Sequence, residues 1–508
     1  MKRTLGVLAI FLSCAAICCV FRAEAAPPAP GVDDGAVDGM LPAALTTDVP
    51  KDVDTDPKTM PKDEHRNPIF TFKTLQPRFD RLSWETFVAL NQPVKLDGTQ
   101  TGEKIGSAKD NLAIWELWKE DYQIFLERGA RPSEWKLDPD HHPGPISRDC
   151  PSYFSRGCRD LFELKQAELA KAGRPLAVLE AFVEPFDTGP LIDQNGKYAR
   201  FEILVNQDMF QYIVDHELYS KAGQARRAEE DRPDQKTVPY HVVFPCSKQK
   251  GNKPEDKPET GSIMIKAAWK ALSLQEIRAG KFHTADCLVY TRENEEFNIK
   301  EDCQFVTLGL VGFHIVHKTA TRPQWVWSTF EHIDNCPTAG SDAEERSFSF
   351  YDGAQPGLLA VNSPPLPPWN PTVTEPQARR SQIKRMQAVT KDAEDQNRAF
   401  QRLLAGSVWA NYRLISTQWP SARPNDKPDP QKLKVDPNAK VEFCDPQDTA
   451  PTDIIAMPAP QFLGSSMLES YIPQRTVNTS SSCIECHANA TTTKTKFSDF
   501  TFLLLRAK

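Results

Sequence analysis

The stretch CQFVTLGLVGFHIVHK, Cys303 to Lys318, and its neighbour QWVWSTFEH, Gln324 to His332, decide the fold class. Both are rich in β-branched and aromatic residues, which suit a pleated and half-buried surface, so both read as strands. Along the second, His332 shares a face with Val326, Ser328 and Phe330, while Trp325, Trp327, Thr329 and Glu331 point the other way. Working back, YARFEILVN, PYHVVFP, GSIMIKAAW and TADCLVYT carry the same signature, divided by charged or Pro/Gly segments such as SKQKGNKPEDKPETG. In GSIMIKAAW, Ile263, Ile265, Ala267 and Trp269 fall on one face and Met264, Lys266 and Ala268 on the other. From Tyr198 onward the chain therefore predicts a largely antiparallel sheet.

Toward the N-terminus the period changes. LSWETFVALNQ opens the folded part. In NLAIWELWKEDYQIFLERG, the residues Leu112, Trp115, Trp118, Tyr122, Phe125 and Leu126 recur at helical spacing, with Gly129 as a stop. DLFELKQAELAKAG is a second amphipathic helix, closed by Gly173 and Pro175. Beyond the sheet, SPPLPPWNPTVTEP reads as a rigid connector, and the run from Glu375 to Thr417 as one long helix or two abutting ones. A Pro- and Asp-rich loop follows from Trp419 to Pro460, then a short helix around Met467 to Tyr471, and FSDFTFLLLRA as a possible returning strand. The expected division is a leader at 1–25, a disordered Pro/Asp-rich segment at 26–68, an α+β domain at 69–355, a connector at 356–375, and a helical and loop region at 376–508.

The leader is read from Lys2 and Arg3, an apolar run from Leu5 to Phe21 and the small-residue site Ala23-Glu24-Ala25, the pattern of a secretory signal peptide. At about 17 residues the run is at the short limit for a membrane anchor. No later run is long or apolar enough to span, so no transmembrane segment is expected after cleavage. The whole chain carries a formal charge of −7. Without Lys2, Arg3, Arg22 and Glu24 the mature chain stands at about −9, and it has no basic stripe interleaved with aromatics, which argues against nucleic acid as a partner. A periplasmic or secreted location follows.

Of the 12 cysteines, Cys14, Cys18 and Cys19 lie in the leader. The rest are odd in number, with Cys150–Cys158 and Cys287–Cys303 as possible disulfides. Two thiols stand apart in NTSSSCIECHANATT, Asn478 to Thr492, where Cys483, Cys486 and His487 are spaced C-x-x-C-H. One helical turn puts both sulfurs on the same side with the imidazole beside them. In a c-type haem site the thiols add to the two porphyrin vinyl groups and the His supplies the proximal nitrogen to iron. Given this chain's Cys and His content, such a motif arises by chance about 0.005 times. Zinc would need a fourth ligand, a thioredoxin-like pair belongs to a βαβ unit, and a simple disulfide would close a strained ring. His141 and His142, beside Asp138 and Asp140, are a weaker metal candidate than a solvated loop.

At these residues the chain resembles c-type cytochromes, in particular the large exported single-haem proteins of the cytochrome c family. The resemblance implies one covalently attached haem c, electron transfer, and a redox partner protein. It implies a C-terminal haem-attachment helix within the α+β fold. It supplies no template for that fold, because small cytochromes c carry the motif near the start of a helical domain and cytochromes c-prime are four-helix bundles. No Met or His follows His487, so a sixth iron ligand is expected from upstream. Met467 and His332 are the first candidates, with Met457, His314 and His317 behind them and an open or water-bound site as the alternative. The length of the chain favours a haem-dependent oxidoreductase or peroxidase, and Glu331-His332 is one place for a distal acid. A non-catalytic electron-transfer partner and a gas- or redox-sensing haem module are the alternatives.

Overall fold

The two-residue period around Ile263 to Trp269 extends across its neighbours because nine strands pair into one sheet. The computed structural model describes residues 45–106, 112–135, 150–229, 242–248, 259–319, 321–338, 347–353, 356–420, 458–460, 463–472, 482–494 and 496–508. The strands are β1 (Lys119–Glu120), β2 (Ala177–Leu179), β3 (Arg200–Val205), β4 (Ile263–Ala271), β5 (Thr284–Thr291), β6 (Asp302–Thr319), β7 (Arg322–His332), β8 (Tyr412–Pro420) and β9 (Pro458–Ala459). Their order is β9-β8-β7-β6-β4-β3-β1, with β5 on β6 and β2 on β5. Every ladder is antiparallel except β2 on β5. The 18-residue β6 is the spine: β4 holds one edge, while β5 and then β7 share the other. The α+β expectation is met, with helices α1 (Phe72–Leu90), α2 (Arg156–Lys171), α3 (Gln207–Asp215), α4 (Lys391–Leu403) and α5 (Cys483–His487) among those that flank the sheet.

The sheet has two unlike faces. On one, Ile265, Ala267, Trp269, Phe313, Ile315, Phe330 and Leu414 join Trp84 and Phe87 of α1 and Phe400 of α4 in the largest core. Trp84 stacks on Phe400 at 5.1 Å and Phe87 on Phe330 at 4.3 Å. The Trp84 indole donates to Asn397 Oδ1 at 3.0 Å, so its polar edge is satisfied inside the core. Burial of each such side chain contributes about 1.5–3 kcal/mol. On the opposite face the register sets Ile203, Lys266, His314 and Thr329 in one row and Met264, Val316 and Trp327 in the next.

The segment 463–472 is pressed onto this second face. Gly312 of β6 permits the contact, since a Cβ there would stand 2.9 Å from Met467 Cβ. Glu331 of β7 secures it: its carboxylate accepts from Ser465 Oγ at 2.9 Å, from Ser466 N and Ser466 Oγ at 2.7 Å each, and from the Arg385 guanidinium. Burial works against the Glu331 charge, but Arg385 and Ser466 outweigh it and hold its pKa below the ordinary value.

Several local expectations are corrected. Residues 112–129 are not one helix: short strands, two 3-10 turns and a single α turn alternate there, and Lys119–Glu120 pair with Val205 and Leu204 at the sheet edge. Trp115 through Glu120 are all buried, so the segment lacks the solvent side that an amphipathic helix requires. The long helix after Glu375 is confined to α4, and Tyr412 to Pro420, rich in aromatic and β-branched residues, is a strand. Phe502–Arg506 is a 3-10 helix, Met467 to Tyr471 is a run of turns, and Val242 to Pro245 buries Val242 and Phe244 without forming a strand. From residue 45 the expected disordered segment is packed, with Val53 and Met60 buried against Leu75 and Phe79. The 356–375 stretch does not divide domains, because β8 lies in the same sheet and Leu41–Lys508 form one compact unit.

Neither proposed disulfide forms. Cys158 of α2 bonds Cys303 instead, because α2 packs over β5 and β6, whereas Cys287 lies opposite Val306. Cys150 remains a thiol and Cys246 is disulfide-bonded. Among the described residues no helix is long and apolar enough to cross a membrane. The leader, His141, His142, Cys444 and Met457 lie outside the described residues.

Glu331→Ala leaves the Arg385 guanidinium buried without its counter-charge, a change that costs about 3–5 kcal/mol. The expected result is a clearly lower urea midpoint. A midpoint unchanged within error would show that the pair does not hold the segment.

Candidate functional site

The helix α5 is short, and its position is set from outside. Ser482 caps it, accepting from Glu485 N, and donates to Gln418 Oε1 of β8, which also accepts from Ile484 N at 2.9 Å. Ile484 is buried in a core shared with Val316, Trp325 and Trp327. That anchoring turns Cys483, Cys486 and His487, at positions i, i+3 and i+4, together toward one cavity of about 1560 Å³. Its volume exceeds the roughly 300–1,000 Å³ usual for a small-molecule site.

The imidazole of His487 is oriented by the polypeptide beyond it. Its Nδ1 lies 2.8 Å from Phe500 O. A carbonyl can only accept, so Nδ1 carries the proton and Nε2 keeps its lone pair. Trp327 and Phe502 flank the ring at 4.5 and 5.1 Å. Burial lowers its pKa to about 4, which leaves it neutral near pH 7. The loop that presents Phe500 O is itself held: Asp499 pairs with Lys318 and accepts from Phe244 N at 2.7 Å, and Asp499 O accepts from the Trp325 indole at 3.1 Å. Cys483 and Cys486 are not joined in a disulfide, and burial pushes both thiols' pKa values up, so both keep their protons.

The wall formed by the sheet is apolar at Ile203, Met264, Val316 and Trp327, and beside them it carries a charged cluster. There Glu469 accepts from Lys266 Nζ at 3.0 Å and pairs with His314 Nε2 at 3.0 Å, while His314 Nδ1 meets Thr329 Oγ1 at 3.0 Å. Burial would raise the Glu469 pKa, but Lys266 and His314 outweigh it and hold it well below the usual carboxylate range. At the far side Tyr153 donates to Glu180 at 2.9 Å, and Arg292 pairs with the same carboxylate.

The expected distal ligands are not brought to this cavity. His332 is stacked on Phe282 at 4.0 Å; its Nε2 donates to Lys281 O and its Nδ1 accepts from Asp334 N. Strand alternation puts it on the face away from Trp327, and burial lowers its pKa to about 4. Met467 is fully buried over Gly312 among Leu191, Phe350 and Ile383, and Glu331 holds the overlying segment and does not line the cavity. His317 donates to Thr260 O. Among the described lining residues the other imidazole and the thioether are engaged, His314 as above and Met264 by Thr501 Oγ1 at 3.6 Å.

These residues fit a covalently held porphyrin. Two protonated thiols and a neutral imidazole with one committed nitrogen face a cavity large enough for it. A tetrahedral zinc site would need a fourth ligand beside the two thiols and the imidazole. No family model, curated protein or solved structure matches the chain.

Buried His317 and His332 both have pKa values lowered to about 4. The unfolded chain therefore takes up protons first on acidification, and the stability these residues contribute above pH about 6.5 is lost as pH falls toward 4. Their imidazole NMR signals should stay fixed from pH 8 to pH 5 and move only near pH 4. Movement centred near 6.5 would refute their burial.

Proposed function

We propose that this chain is an exported single-haem redox protein of the c type. Haem c would be tethered by Cys483 and Cys486, with His487 supplying a nitrogen to the iron. One observation carries the reading: α5 turns those three side chains into one large cavity, and His487 Nδ1 is committed to Phe500 O, leaving Nε2 available. When bound, the haem supplies one-electron redox chemistry, with ligand binding at any open iron position.

The remaining work belongs to the chain. The Phe500 carbonyl fixes the tautomer of His487 and raises the basicity of Nε2. Ile203, Met264, Val316 and Trp327 exclude water from the sheet side. Lys266, His314 and Glu469 set hydrogen-bonding groups in the same wall, where a developing charge or a small polar ligand can be met. A cavity this large with a titratable wall favours an oxidoreductase over a plain carrier, whose needs end with burying a porphyrin. The leader and acidic charge suit a periplasmic or secreted protein working with a redox partner protein.

Expression with a c-haem maturation system, followed by optical spectra with and without carbon monoxide, tests this. The wild type should hold pigment that resists acidified organic solvent, and its reduced form should bind carbon monoxide. The Cys483→Ala/Cys486→Ala pair should lose all solvent-resistant pigment, while Cys150→Ala, a free thiol on the same cavity, should keep it. A wild type that stays colourless, or a double variant that keeps its pigment, would refute the assignment.

A further inference from the structure

Behind the cavity wall sits a carboxyl group that no part of the site uses. Glu184 is 2% exposed, and its neighbours Val183 and Pro185 both line the cavity. Its Oε1 lies 2.6 Å from Ser470 Oγ, and Ser470 Oγ lies 2.7 Å from Ser466 O. The hydroxyl has one proton, and the Ser466 carbonyl can only accept. For both short contacts to be hydrogen bonds, Ser470 gives its proton to Ser466 O and Glu184 brings its own. The second oxygen, Oε2, is buried without a partner, which an ionised carboxylate would tolerate badly. Burial raises the pKa to about 8, in agreement with this count of protons.

The charges that face Glu184 come from the cavity wall. Glu469, next to Ser470, favours the protonated form, and Lys266 of β4 opposes it. His314 of β6 shares Glu469 with Lys266. The Tyr471 phenol is fully buried and its pKa is pushed up, so it stays neutral. An electron added to the cavity would act on Glu184 as a further negative charge, and the effect is reciprocal.

We propose that Glu184 is the proton site coupled to electron uptake in this cavity. At a pH where the carboxyl is ionised in the oxidised protein, one electron arrives from an external one-electron donor and one proton from solvent; the O–H bond forms on Glu184, and the net charge is unchanged. On oxidation the same bond breaks and the proton returns to solvent. The inference rests on the haem reading above and makes the protein a carrier of hydrogen equivalents as well as electrons.

The test is the reduction potential of the matured holoprotein, followed spectroelectrochemically from pH 5 to pH 10. In the wild type the potential should fall with rising pH over an interval at neutral to alkaline pH. Glu184→Gln, neutral at every pH and still a donor to Ser470, should keep the haem and lose that slope. Ser470→Ala removes the hydroxyl that meets the Glu184 carboxyl, so the onset of the slope should shift from its wild-type pH. The redox difference infrared spectrum should show a protonated-carboxyl band that is absent in Glu184→Gln. A slope unchanged in Glu184→Gln overturns the proposal. If that variant fails to fold, an onset unmoved in Ser470→Ala overturns it. A coloured wild type with a pH-independent potential defeats this inference alone, whereas a colourless wild type defeats the haem reading and this inference with it.

Discussion

The site depends on a charge that cannot leave. Glu331 lies on a central strand under the 463–472 segment, fully buried with Arg385 and two serine hydroxyls around it. Such a pair is expensive to desolvate and still more costly to break, so its value lies in fixing a single arrangement more than in added stability. Here the arrangement fixed is the seat of Met467 over Gly312 and, two residues on, of Glu469 against Lys266 and His314. One residue of slip would move Glu469 off the cavity wall.

The sheet register then does for the wall what the short helix does for the thiols. Lys266 and His314 are direct cross-strand partners on β4 and β6, and Thr329 is the next member of that row on β7. Their side chains meet because antiparallel pairing sets such residues close together on one face. The opposite face, filled by Trp84, Phe87, Phe330 and Phe400, supplies the rigidity. A charged row on one side and an aromatic core on the other come from the same alternation, read one residue apart.

That alternation is why much of the sheet was legible. Ile263 to Trp269 and Trp325 to His332 divide between the faces as their spacing indicates, and the division alone separates His332 from Trp327. The C-x-x-C-H helix was equally plain, because its residues act within one turn. Other features depend on contacts distant in sequence and leave no local mark. The Leu112 to Leu126 run has helical spacing, yet edge pairing with β3 and burial on all sides override it. The cystine of Cys158 and Cys303 spans 145 residues and follows from how α2 lies on the sheet. Glu469 and Glu184 sit in unremarkable stretches, and only the fold sets Glu469 in the cavity wall and buries Glu184 against Ser470. Lys266 and His314 did carry a signal: each is a polar residue set between apolar neighbours, Ile265 and Ala267 for the first and Phe313 and Ile315 for the second.

The carbonyl that orients His487 belongs to Phe500, thirteen positions further along the chain. During synthesis a polypeptide emerges from its N-terminus, so the sheet and even the thiols arrive before the group that sets the imidazole. Until the loop of Asp499 and Phe500 docks on Lys318 and Trp325, the imidazole lacks the partner that fixes its tautomer. A product that stopped before Phe500 would carry both thiols and the imidazole without the carbonyl that orients it.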